Sequence, residues 1–175
     1  ATLDQFGNIY FVAGLSLLSS SPDDRLTKLY SLDNNGNLRW KMVIDSINSP
    51  ESVNANGGIN SPAIASDNIT YVGGDDFYAF NINGNLVWKY DVLDYGGCNQ
   101  HNSTSPIIDP NGNIYFVASK RDLISLDKNG QERWRSLTDL NNDGFFSAWL
   151  SSPAFSVDYS KIFLATLNEI HCVNA

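Results

Sequence analysis

Ser31-Leu32-Asp33-Asn34-Asn35-Gly36-Asn37-Leu38-Arg39-Trp40 recurs twice more with few changes. The second copy is Ala79-Phe80-Asn81-Ile82-Asn83-Gly84-Asn85-Leu86-Val87-Trp88, and the third is Ser125-Leu126-Asp127-Lys128-Asn129-Gly130-Gln131-Glu132-Arg133-Trp134. Each copy reads as a short apolar strand, an Asn-Gly turn, and a second strand that carries Trp four residues after the Gly. Asn-Gly flanked by apolar residues is a strong local signal for a β-hairpin, because both residues tolerate the positive φ that a tight turn demands. The three Trp residues stand 48 and then 46 positions apart.

A second recurring pair of segments precedes each hairpin. Ser-Pro followed by a short apolar run occurs at Ser61-Pro62-Ala63-Ile64, Ser105-Pro106-Ile107-Ile108 and Ser152-Pro153-Ala154-Phe155. Pro lacks an N–H and is accommodated at the first residue of a strand. A β-rich run follows after a polar turn, at Ile69-Thr70-Tyr71-Val72, Ile114-Tyr115-Phe116-Val117 and Ile162-Phe163-Leu164-Ala165, and Ile9-Tyr10-Phe11-Val12 matches it near the start of the chain. Four strands per repeat, A to D, with a period in the forties, predict an all-β fold, a β-propeller arc of about four blades. The expected blades span about 1–45, 59–93, 103–138 and 149–175. The middle two are complete. The first lacks most of strand A, and the fourth stops before a Trp-bearing strand D. Residues 1–175 then form a single propeller domain or a fragment of one.

Composition narrows the partners. The chain of 175 residues is 42% apolar, enough for a core, and carries 19 acidic against 11 basic side chains for a net charge of −8. Nucleic-acid binding needs clustered Lys and Arg to neutralise phosphates, and no basic stripe is present. The apolar stretch 11–20 is too short to span a bilayer, so no membrane span is expected. Cys98 and Cys172 are 74 residues apart and read as two small buried or stray thiols rather than as a disulfide framework.

Loop lengths are unequal. The A-to-B and C-to-D turns are short. The D-to-A connections are long, at about 45–60, 91–104 and 138–149, as is one B-to-C connection at 15–25. In an antiparallel four-strand blade these two kinds of connection emerge at the same end, so one face of the arc collects the length. Long loops on a rigid frame are where recognition usually resides, for a protein or a small ligand. On this face Asp139-Leu140-Asn141-Asn142-Asp143-Gly144 sets oxygen ligands at alternate positions ahead of a Gly, as the opening of a calcium loop does. Leu150, at the twelfth position, cannot ligate, and the same residues make a good polar turn. Calcium held by Asp139, Asn141 and Asp143 and a plain turn are both open, the turn being the simpler. Cys98 and His101 have a metal-like spacing but no second pair nearby. His171 reads as a strand residue among apolar neighbours. Glu51 and Glu169 are isolated, and Asp23, Asp24, Asp75 and Asp76 read as solvated loop acids. No residue is assigned a catalytic or cofactor-binding role.

The order Ser-Pro, Gly-x-Ile-Tyr-Val, Leu-Tyr-Ala-Leu-Asp, Gly-x-x-x-Trp resembles the pyrroloquinoline-quinone-like (PQQ-like) propeller repeat over nearly the whole chain. The resemblance implies that Trp40, Trp88 and Trp134 lie between neighbouring blades and dock one on the next. It implies an extracytoplasmic setting. It also spans several functions: quinone dehydrogenases, scaffolds such as the outer-membrane lipoprotein BamB, and sensor domains of larger receptors. The dehydrogenases resemble eight-blade rings that often carry adjacent cysteines against the quinone. Cys98 and Cys172 are not adjacent, so PQQ is not expected here, and the non-catalytic BamB-like branch is preferred. An arc with incomplete end blades exposes unpaired strand edges and apolar blade faces, which favours self-association or membership of a longer propeller.

Overall fold

Five copies of one turn organise the chain. At Asp33 the backbone closes through Asp33 N–H to Asn37 O at 2.8 Å and Gly36 N–H to Asp33 O at 3.0 Å. The Asp33 carboxylate then accepts the N–H groups of Asn35 and Asn37 at 2.9 and 2.8 Å. Asn81 and Asp127 build the same turn between strands C and D, and Asp4 and Asp109 build it between strands A and B. The glycine takes φ between +81° and +84° in every copy, a conformation that side chains with a Cβ resist. The short acidic or amide side chain satisfies backbone donors that the turn would otherwise leave open.

The computed structural model describes residues 1–14, 26–46, 60–74, 76–92, 104–118, 122–137, 151–165 and 170–175. Among these the elements are all strands. Blade 1 contains β1 (Thr2–Leu3), β2 (Ile9–Gly14), β3 (Leu26–Leu32) and β4 (Leu38–Ser46). Blade 2 contains β5 (Ala63–Ile64), β6 (Thr70–Gly73), β7 (Phe77–Phe80) and β8 (Leu86–Tyr90). Blade 3 contains β9 (Ile107–Ile108), β10 (Ile114–Val117), β11 (Asp122–Leu126) and β12 (Glu132–Leu137). Blade 4 contains β13 (Ala154–Phe155), β14 (Lys161–Ala165) and β15 (Ile170–Asn174). Each sheet is an antiparallel meander in chain order, the first three with four strands and the last with three. This is the all-β, blade-by-blade architecture that the repeat predicts.

The first blade differs from the expectation in one respect. Thr2 and Leu3 pair with Tyr10 and Ile9, so blade 1 has its strand A and three blades are complete rather than two. Strand A is only two residues long in every blade, and here no Ser-Pro announces it.

The core lies between blades, not within them. Val12, Leu29 and Ile44 of blade 1 meet Val72 and Phe80 of blade 2. Tyr71, Phe77 and Ala79 of blade 2 meet Ile114, Phe116, Ile124 and Leu126 of blade 3, with the Phe77 and Phe116 rings stacked at 3.9 Å. Tyr115, Val117 and Leu123 of blade 3 meet Ile162 and Leu164 of blade 4. Each middle blade therefore buries both faces, and burial of this apolar surface is what orders the row.

Candidate functional site

A bulge in each outer strand sets up the junctions. Ser31 pairs with Trp40 and Leu32 with Leu38, so Arg39 is an extra residue, and the register shifts in the same place in blades 2 and 3. Strict alternation would send adjacent residues to opposite faces. The extra residue lets Arg39 and Trp40 both point at blade 2. The Trp40 indole N–H donates to Ile82 O at 3.0 Å, and Arg39 donates to the same carbonyl at 3.2 Å. The indole lies on Gly84, where an added Cβ would come within 2.7 Å of Trp40 Cδ2. Trp88 repeats this on blade 3, donating to Lys128 O at 3.0 Å and lying on Gly130. Trp134 lies tilted against Tyr115 with ring centroids 5.9 Å apart, as Trp88 does against Tyr71, while Trp40 meets Tyr10 edge-on, and Trp134 packs with the blade 3–blade 4 cluster.

Two blades also carry a polar network that the sequence reading passed over. In blade 1 the Tyr10 hydroxyl donates to Asp4 Oδ2 at 3.0 Å, and Arg39 donates to Tyr10 Oη and Ser31 Oγ, each at 3.0 Å. In blade 3, Tyr115 donates to Asp109 at 3.0 Å, and Arg133 donates to Tyr115 Oη and Ser125 Oγ, each at 2.9 Å. Blade 2 has Ala65, Ala79 and Val87 in place of the Asp, Ser and Arg around Tyr71. The three positions change together, which was a readable signal in the chain's own repeats. Burial pushes the Tyr71 hydroxyl up to about 12, with the charges of Asp67 and Asp127 adding to the shift.

Burial raises the carboxyls of Asp4 and Asp109, but the hydrogen bonds they accept from Asn8 and Asn113 and from the turn N–H groups outweigh it and leave both below the usual carboxylate value. A depressed native pKa gives stability that is present above the unfolded carboxylate value and lost as pH falls through the native one. Acid unfolding is therefore expected below about pH 4. Asp109→Asn is expected to make the acid limb shallower, as read by the urea midpoint between pH 5 and pH 2.

The inner edge of the arc explains the Ser-Pro motif. Ser61 N–H donates to Ser105 Oγ at 2.8 Å, and Ser105 N–H donates to Ser152 Oγ at 3.0 Å. Ser105 and Ser152 thus accept a backbone N–H of the preceding blade, while Pro62, Pro106 and Pro153 are buried. At the end where the long connections leave the frame, side chains tie strands together. Asp76 pairs with Lys89 at 2.8 Å and accepts Val92 N–H at 3.1 Å, so it is a loop anchor rather than a solvated acid. Arg135 pairs with Asp122 at 3.4 Å and with Glu132 at 3.3 Å, and it donates to Tyr90, whose hydroxyl donates to Glu132 across the blade junction. Buried Thr104 accepts Val117 N–H at 3.0 Å.

The long connections themselves lie outside the described residues. So do Asp139, Asn141 and Asp143, as well as Cys98, His101, Glu51, Glu169, Asp23, Asp24 and Asp75. Cys172 is a free, exposed thiol on β15, and His171 beside it is half-buried. Among the described residues no group of three or more His, Cys, Asp or Glu side chains could hold a metal ion. No described helix is long and apolar enough to cross a membrane.

No protein-family profile matches the chain, and no curated protein sequence matches it. Solved structures do resemble it. Dihydro-heme d1 dehydrogenase NirN has a TM-score of 0.54 and 16% identity, over 89% of this chain and 33% of that one. A gluconolactonase from Xanthomonas campestris also has a TM-score of 0.54, at 13% identity, over 98% of this chain and 55% of that one. BamB from Moraxella catarrhalis has a TM-score of 0.44 and 16% identity, over 84% of this chain and 55% of that one. The chain spans about half the length of the BamB and gluconolactonase structures and a third of NirN. At these identities the likeness concerns the fold, and the fold is a β-propeller arc.

Proposed function

We propose that residues 1–175 act as one non-catalytic propeller module, a binding or scaffold unit that recognises a partner through its long D-to-A and B-to-C connections. One observation carries this reading: the recurring polar sets of the repeats are spent on holding the frame. The turn aspartates bind their own turns, the Arg-Tyr-Asp sets bridge strands, and the Ser-Pro serines link blade to blade. What the frame leaves unassigned is the set of long connections, which the strand order of a blade assigns to one end. The resemblance to the PQQ-like propeller repeat, whose branches include non-catalytic scaffolds, supports the same reading and an extracytoplasmic setting.

The reading is tested with photo-crosslinkers placed in the 93–103 connection and, as a control, at Asn35 in the opposite turns. Partner adducts are expected from the first position and not from the second; the reverse pattern overturns it. The competing reading, a piece of a PQQ-dependent dehydrogenase, is tested with quinone plus calcium. No change in quinone absorbance and no thermal shift are expected. Chelator alone is expected to leave the melting temperature unchanged, as an ordinary turn at Asp139, Asn141 and Asp143 requires. A fall that Asp143→Ala abolishes would instead place a cation there.

A further inference from the structure

Blade 2 keeps the floor of a guanidinium site without the guanidinium. In blades 1 and 3 the extra residue of strand D is arginine, and it donates to a tyrosine hydroxyl and a serine hydroxyl at 2.9 or 3.0 Å. Arg39 also reaches Ile82 O, in the C-to-D turn of the next blade, at 3.2 Å. In blade 2 the extra residue is Val87, and Ala79 stands in place of the serine. Tyr71 keeps the register of Tyr10 and Tyr115, paired with strand A on one side and strand C on the other. It is only 1% exposed. Its hydroxyl is therefore aimed at the place where the other two blades hold an arginine, but among the described residues nothing hydrogen-bonds it. A buried hydroxyl without a partner costs stability, and Phe would bury the same ring without that cost. An apolar replacement of the whole set gives no reason to keep Tyr71.

Two carboxylates lie within electrostatic reach of that hydroxyl. Asp67 belongs to the A-to-B turn of blade 2, and Asp127 opens the C-to-D turn of blade 3, where blade 2 has the neutral Asn81. After burial, it is their charges that hold the Tyr71 hydroxyl up. Asp127 gives one oxygen to the N–H groups of Asn129 and Gln131, and its other oxygen accepts only the Asn129 amide, at 3.4 Å. Lys128 O, the counterpart of Ile82 O, accepts from the Trp88 indole alone among the described residues. We propose that the junction of blades 2 and 3 binds a guanidinium group supplied from outside the chain, in the place that Arg39 and Arg133 fill from within at the neighbouring junctions. The acceptors are Tyr71 Oη, Lys128 O and the Asp127 carboxylate. A planar fork of several N–H donors suits acceptors spread in this way better than a compact ammonium does, and it also packs well beside an indole. Leu86 and Val87, at 54% and 50% exposure, give an aliphatic stem an apolar surface to follow. The site lies at the turn end of the frame, so it does not depend on the long connections.

Titration of the chain with methylguanidinium and with an acetylated, amidated Gly-Arg-Gly peptide tests this, followed by the Trp88 indole N–H resonance. Saturable shifts are expected from both probes at millimolar concentration. The matching Gly-Lys-Gly peptide is expected to bind at least fivefold more weakly. A clear preference for the arginine peptide over methylguanidinium assigns the guanidinium to a polypeptide partner, and equal affinities assign it to a small guanidine; both support the site. Val87→Arg fills the place from within and is expected to abolish the shift while raising the thermal midpoint. Tyr71→Phe keeps the ring, and Asp127→Asn copies the turn residue of blade 2, so both variants fold; each is expected to weaken both probes at least fivefold. No saturable shift in the wild-type chain overturns the proposal. So does equal binding of the lysine peptide, or undiminished binding in Val87→Arg or Tyr71→Phe.

Discussion

Truncating Trp88 to Ala is expected to cost about 3 kcal/mol, the low end for a large aromatic because the ring is half-buried. The contact it loses can be isolated through the glycine beneath it. An Ala at position 130 must hold φ near +81°, which costs roughly 1–2 kcal/mol for a residue with a Cβ. Its methyl would also come within 2.7 Å of Trp88 Cδ2 and 2.9 Å of Cε3. The ring cannot easily yield, since its N–H is held by Lys128 O and its face by Tyr71 and Phe77. Overpacking of this kind adds roughly 1–3 kcal/mol. Gly36 supplies the control: its φ is +84°, but its Cβ would meet nothing within 4 Å. Gly130→Ala is therefore expected to be clearly more damaging than Gly36→Ala, and in a Trp88→Ala background the difference should vanish. Urea midpoints at unchanged m-value measure all the required variants. Equal costs for the two glycines in the wild-type background would mean that the indole does not rest on residue 130.

The parts of the fold that were legible were local. An Asn-Gly turn with Trp four residues on is read from ten consecutive residues, and its repetition counts the blades. Strand A of blade 1 was not legible, because two residues such as Thr2 and Leu3 carry no periodicity and only the register with Ile9 and Tyr10 defines them. Arg39 and Arg133 were missed for a different reason. Alternation places them opposite to Trp40 and Trp134, and only the bulge between strands C and D turns them to the same side. The Ser-Pro motif was recognised as a strand start, while the hydroxyl that accepts the preceding blade's N–H is a relation between positions 44 and 47 residues apart. The candidate recognition face was legible only as a distribution of lengths. The residues that fill it have no strand pattern to place them, and the same lack of pattern leaves Asp139, Asn141 and Asp143 as a spacing rather than a geometry.

The Arg-Tyr-Asp-Ser set predicts a non-additive outcome. Arg133→Val alone removes both hydrogen bonds that Arg133 makes, to Tyr115 Oη and to Ser125 Oγ. Ser125 is fully buried, so its hydroxyl loses its charged donor in a setting that water does not reach. Such a loss is expected to cost about 1–2 kcal/mol, most of it the penalty of a buried polar atom left without its partner. Ser125→Ala alone removes the acceptor but leaves Arg133 its contact with Tyr115, and is expected to cost less than about 1 kcal/mol. The double variant converts the pair to the Ala79 and Val87 pattern, which blade 2 already uses around Tyr71 with Ala79 fully buried. Asp109 stays in place throughout, because it also closes its own turn. The double variant is therefore expected to be more stable than Arg133→Val alone, although it removes one more polar group. A polar set replaced as a whole by a matched apolar one is often nearly neutral, whereas removing one member is not. Coupling of the opposite sign, or strict additivity in a double-mutant cycle, would mean that the network is held together by something other than the Arg133–Ser125 contact.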